Sequence, residues 1–167
     1  MSQMKDKVKW CLKKAEKELA ESKKHRGLIK ISPSKVLARE YISKAEHYLE
    51  ATFLLKEEFS DISASTVFYS IYHCFLAILA KFGYESRNQE CTFAVIYTLA
   101  EAGEINIDKS IIDKVSLLSA KDNEDSVIEI REKYQYGTEL SIKEELYNEN
   151  LGIARKILGK AKEIIEK

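Results

Sequence analysis

Between Ser65 and Tyr84 the chain runs for twenty residues with a single charged side chain, Lys81. Asp61 offers a helix start before it and Gly83 a left-handed stop after it. Apolar residues fall all round this segment rather than on one stripe. That pattern predicts a helix enclosed on most sides, around which the remaining elements must gather. With 167 residues, one proline and six glycines, the chain has the length for one cored domain and few breakers, so long helices are expected.

The flanking pattern is helical as well. Val8, Cys11, Leu12, Ala15, Leu19 and Ala20 mark a first helix over residues 4–24, closed by His25-Arg26-Gly27, with Leu28 to Ile31 as connector. Ser32-Pro33 reads as cap and first position of a second helix reaching Phe59. Its buried face is expected to hold Val36, Leu37, Tyr41, Ala45, Tyr48, Leu49, Thr52, Phe53 and Leu55, with His47 solvated. Asp61 caps the central helix. A fourth helix runs from Gln89 to Ala102 and stops at Gly103. Asp108 caps a fifth, with Ile111, Ile112, Val115, Leu117 and Leu118 inward, an interruption at residues 120–125, and resumption at Val127, Ile128 and Ile130 up to Arg131. Residues 134–138 read as loop. Ser141 and Glu144 form a capping box for a last helix to the C-terminus. No segment reads as a strand. The expected fold is all-α, an antiparallel up-and-down bundle of five or six helices. Residues 1–31 form an N-terminal helical extension and connector, and 32–167 the bundle.

Charge and cysteines narrow the functional classes. Net charge is zero, yet residues 1–40 hold 12 Lys and Arg against 5 Asp and Glu, a net of +7, and residues 101–150 hold 6 against 13, a net of −7. The basic arm suits an acidic partner or nucleic acid, or the protein's own acidic third. Cys11, Cys74 and Cys91 are odd in number, widely spaced and without a C-x-x-C, so free, mostly buried thiols are expected and no zinc site. The central run holds Tyr, Ser, His and Lys, which favours a buried helix over a membrane span, and no signal-like block opens the chain. The expectation is a cytoplasmic protein with no membrane contact. Phosphate loops, H-E-x-x-H and paired E-x-x-H motifs are absent, so no metal and no cofactor are expected.

Two polar clusters remain. Tyr69, Tyr72 and His73 lie in the central helix, Tyr69 and His73 on one face. Their polar tips need partners if buried, and hydrogen bonds across helices that pin the bundle's register would supply them. Arg131, Lys133, Tyr134 and Tyr136 lie where a helix gives way to loop. A guanidinium fork there suits phosphate and the rings suit a base. Alternatively the arginine closes an acidic helix end, or pairs with Glu129 or a partner chain.

The run Ser65-Thr66-Val67-Phe68-Tyr69-Ser70-Ile71-Tyr72-His73, then Phe75 to Leu79 and Gly83-Tyr84-Glu85-Ser86, resembles the HEPN domain family (higher eukaryotes and prokaryotes nucleotide-binding). Ala45 to Leu55 looks like the preceding helix of that family, and Leu117 to Arg131 with Tyr134-Gln135-Tyr136 like its late helix. The resemblance spans residues 35–166 or so. It implies a compact helical bundle, usually a homodimer, that is either a toxin ribonuclease with an Arg-x(4–6)-His motif or an inactive partner of a small nucleotidyltransferase. Here the position reached from Arg131 after four intervening residues is Tyr136, not histidine, and the only histidines are His25, His47 and His73. Tyrosine, with an ordinary pKa of about 10, is a poor base at neutral pH. Asn88-Gln89-Glu90 stands where relatives often have a histidine. The implied reading is therefore nucleotide or RNA binding by Arg131, Lys133, Tyr134 and Tyr136 in a toxin–antitoxin-type system. The alternatives are a divergent endoribonuclease using Arg131 and Tyr136, and a helical interaction scaffold.

Overall fold

The computed structural model describes residues 3–116 and 125–167. Among them run α1 (Gln3–Ala20), β1 (Leu28–Lys30), α2 (Lys35–Leu55), α3 (Ser60–Lys81), β2 (Tyr84–Ser86), α4 (Gln89–Glu101), α5 (Lys109–Val115), α6 (Val127–Tyr136) and α7 (Glu144–Glu166). The protein is an all-α bundle. The expected residues Leu117 and Leu118 and the interruption over 120–124 lie outside the described residues.

α3 is the hub. Thirteen of its twenty-two residues are buried, on all sides, because α2, α4, α6 and α7 all pack against it. Phe68, Ile71, Phe75, Ile78 and Leu79 are fully enclosed. By length and composition α3 could cross a membrane, but two thirds (67%) of its apolar window is covered by the fold. α2 and α7 lie together on one flank, joined by Arg39 and Glu166 through two bonds of 2.8 Å.

The helix ends depart from the sequence expectation in instructive ways. α2 starts two residues late: Ser34, not Ser32, is the cap, its Oγ accepting from the Leu37 N–H at 3.1 Å. Ser34 is held there because its own N–H donates to Ala80 at the end of α3. α2 ends at Leu55 rather than Phe59, and Val36 and Phe53, expected inside, are exposed. Phe53 instead supports the Arg155 guanidinium, 5.2 Å from its ring. α3 has no side-chain cap. Asp61 sits inside its first turn, where a carboxylate favours the dipole without capping. The capping box lies at Ser126 and Glu129, opening α6. At α7 the box expected from Ser141 is not formed, since Lys143 is the cap position and makes no side-chain bond. Asp108 caps α5 as expected, and its bond from the Ser110 N–H holds its carboxyl below the usual range.

Two further corrections concern the N-terminal arm. Leu28–Lys30 is a strand, paired antiparallel with Tyr84–Ser86, Leu28 opposite Ser86. Three residues are too few to show a period of two, so the backbone ladder had no sequence signature. Gly83, at φ 82°, makes the turn into β2, and a Cβ there would lie 2.9 Å from the Ile31 carbonyl. The thiols are not all free: Cys11 of α1 is bonded to Cys91 of α4, with Cα atoms 6.0 Å apart. Eighty residues separate them, and only the packing of α1 on α4 brings them together. Cys74 is the free, buried thiol. The arm is fixed again by His25, 5% exposed, whose Nε2 lies 3.0 Å from Glu85 Oε1 on β2.

Candidate functional site

α6 buries Val127, Ile130, Arg131 and Tyr134, positions that recur on one helix face. Arg131 is thus turned inward, 7% exposed. Its guanidinium carbon sits 4.8 Å from the centre of the Phe68 ring. Nη1 donates to Gln135 Oε1 at 3.0 Å, and Nη2 reaches Glu132 Oε1 at 3.4 Å. Nε and the Tyr134 hydroxyl are buried with no partner among the described residues. Glu129 does not pair with this arginine, being taken up by the capping box.

The four residues picked from the sequence therefore divide. Arg131 and Tyr134 share the inner face. Lys133 faces outward, 3.9 Å from Glu139, and Tyr136 is 76% exposed. Tyr134 to Tyr136, read as loop, are the last turn of α6. Helical spacing explains the split, because positions two and five beyond Arg131 fall on other sides of the helix.

The α3 cluster is joined to this arginine through Phe68. The Phe68 ring lies 5.4 Å from Tyr69 and 6.0 Å from Tyr72, nearly parallel to the latter. Tyr72 makes the expected bond across helices, to Thr92 Oγ1 of α4 at 3.2 Å. Burial is the main reason its phenol is pushed above the ordinary value. His73 bonds within its own helix instead, Nδ1 to the Tyr69 carbonyl at 2.7 Å. A carbonyl can only accept, so Nδ1 holds the proton and the neutral ring keeps a lone pair on Nε2. Burial, with Lys44 nearby, lowers the pKa of His73 and favours that neutral form.

α2 completes the face with Tyr41 and Tyr48, which sequence reasoning assigned to packing alone, and with Lys44, which it did not single out. Tyr48 stacks on His73 at 5.2 Å and approaches Tyr69 at 5.6 Å, and Tyr41 lies 6.1 Å from His73. Lys44 covers the outer side of Tyr48 at 5.2 Å. Tyr41, Lys44 and Tyr48 recur at i, i+3 and i+7, opposite Tyr69, Tyr72 and His73 at i, i+3 and i+4. That pairing of two helical faces was the available signal. The result is a half-buried aromatic wall with a neutral imidazole at its centre and, beyond Phe68, one cation. It can stack flat rings, exchange a proton at Nε2 and neutralise an anion.

Elsewhere an open cleft of about 260 Å³ is lined by Lys56, Glu57, Ser60, Ile142, Glu144 and Tyr147. Its cation is engaged, with Lys56 3.7 Å from Glu144 and over the Tyr147 ring. Among the described residues no three His, Cys, Asp or Glu side chains cluster as metal ligands would. No protein-family model matches the chain, and no curated protein matches it.

Proposed function

We propose that this chain is a HEPN-like protein that binds a nucleotide or RNA without cutting it, as a homodimer and alongside a nucleotidyltransferase partner in a toxin–antitoxin-type pair in the cytoplasm. The observation that carries the reading is Arg131. A buried guanidinium with an N–H unpaired among the described residues is not what stability selects, since an unmet buried donor costs about 1–3 kcal/mol. Its stacking on Phe68 returns about 0.5–2 kcal/mol. Among the described residues its two Nη groups are held by Gln135 and Glu132, both exposed. An entering phosphate would take over those bonds in the bidentate geometry arginine favours, while Tyr134 and the α3 rings receive the base. Tyr136 and Lys133 then act at the rim.

Calorimetric titration of ATP and of a short single-stranded RNA tests this, wild type beside Arg131→Gln, with RNA integrity followed in the same samples. Binding at least tenfold weaker in the variant, with intact RNA, is the expected result. Equal affinities in the two proteins would remove Arg131 from the site. Light scattering of the pure chain gives the oligomeric state.

A second reading is favoured by one observation. His73, anchored through Nδ1 and with no hydrogen-bond partner at Nε2 among the described residues, is set as a general base that could take the 2′-hydroxyl proton of RNA. RNA cleavage that disappears in His73→Gln would establish the endoribonuclease and displace the non-cutting reading.

A further inference from the structure

α1 carries six lysines and three acids and buries only its Cys11–Ala15 side, with Val8 and Leu12 half covered. The opposite side holds Trp10, 52% exposed. The Lys7 and Lys14 ammonium groups sit 4.8 and 5.2 Å from the centre of its ring. Lys7 is also tied to Glu90 at 2.7 Å. Lys13 and Lys17 are exposed on the same side as Trp10 and make no ion pair among the described residues. They stand one helical turn apart, about 6 Å along the axis.

We propose that this side of α1 binds single-stranded nucleic acid, Trp10 stacking on a base while Lys13, Lys14 and Lys17 hold the flanking phosphates. A positive surface with an aromatic platform is what sequence-tolerant single-strand binding uses. A membrane surface fits less well. An interfacial helix needs its apolar side free for lipid, and here that side is fastened to α4 through Cys11–Cys91 and packed on β1. The platform is rigid for the same reason. It lies on an element that holds neither Arg131 nor His73, so it stands independently of the bundle site.

Trp10 is the only tryptophan in the chain, so its fluorescence reports this surface alone. The full-length protein is titrated with a 20-nucleotide oligo(U) and oligo(dT) at two salt concentrations, and separately with anionic phospholipid vesicles. Saturable quenching by the oligonucleotides is expected, weakening steeply with salt. Lys13→Glu/Lys17→Glu keeps the reporter. It should bind labelled oligo(U) at least tenfold more weakly, with a log–log salt slope smaller by about 1.4, two phosphate contacts on a single strand. Trp10→Ala should weaken anisotropy-detected binding by about tenfold, the loss of one stacked base. Absence of quenching, or a blue shift with vesicles and no response to oligonucleotides, overturns the proposal. Equal binding by the wild type and the lysine double variant, with loss in Arg131→Gln, overturns it too while leaving the bundle site standing.

Discussion

Removing the bond between Cys11 and Cys91 is the perturbation whose size follows most directly from the structure. The bond closes a loop across a separation of 80 residues. Restricting the unfolded chain over a loop of that length is worth about 4.5 kcal/mol at 25 °C on the chain-entropy account, and measured effects commonly fall between about 2 and 5 kcal/mol. Both sulfurs are buried in a packed contact of α1 with α4, so Cys11→Ala/Cys91→Ala leaves apolar side chains in place and tests chiefly the cross-link. Urea unfolding of the oxidised wild type against this variant should show the midpoint fall, and heating should show a Tm lower by about 5–15 °C. Adding reductant should move the wild type toward the variant and leave the variant unchanged. A thiol count fixes the premise. Burial pushes the Cys74 thiol up to about 12, so the native protein should give no reactive thiol and the unreduced, denatured protein one. Three thiols in the denatured protein would refute the cross-link, and an unfolding midpoint indifferent to reductant would refute the energetic argument.

Three other outcomes are expected. His73 is held below its ordinary pKa, so its contribution to stability is full above about pH 6.5 and is lost as pH falls below that toward the folded value. Denaturation midpoints at pH 8 and 5.5 should show this loss, and His73→Gln should flatten it. Glu166 is lowered to about 2, first by its bonds from Arg39. Its contribution is present above the ordinary carboxyl range and lost as pH falls toward 2, and in Arg39→Ala its carboxyl should titrate in NMR spectra near the ordinary value. Gly83→Ala places a Cβ against the Ile31 carbonyl in a left-handed conformation, and should destabilise the fold by more than about 1 kcal/mol in urea titration.

What was legible from the sequence followed from strong periodic signals. α3 was readable because a twenty-residue run with one charge has few alternatives to burial, and Gly83 and Gly103 stopped helices where left-handed backbone is observed. The caps expected at Ser32 and Ser141 stood beside tertiary bonds that local preference does not reveal: the Ala80 carbonyl accepts from the Ser34 N–H, and Ser60 Oγ accepts from the Ile142 N–H. Asp61 falls inside α3, which begins one residue earlier at Ser60. The strand pair and the disulfide are long-range pairings between segments with no signal of their own. Among the candidate site residues, Tyr69, Tyr72 and His73 do meet, but Lys133 and Tyr136 do not join Arg131, because a stretch read as loop continues as helix and imposes its own angular order. Tyr41, Lys44 and Tyr48 were visible only once α2 was laid against α3.

The β-ribbon shows how the arm and the aromatic face belong to one structure. β2 leaves α3 directly at Gly83, so its position is set by the buried helix. Its Glu85 faces His25 of the arm's connector and also accepts from Arg87 Nε at 3.1 Å, while the Arg87 N–H donates to the Gly27 carbonyl. The same two charges act on Tyr41 in opposite senses, Glu85 raising its phenol pKa and Arg87 lowering it, with burial the larger cause. Two short strands thus anchor α1 on one side and set the field at the edge of the tyrosine–histidine wall on the other. An N-terminal arm that merely decorated the bundle would need neither a buried histidine set against the ribbon's Glu85 nor a covalent bond to α4. Together those contacts hold α1 in fixed register with the bundle.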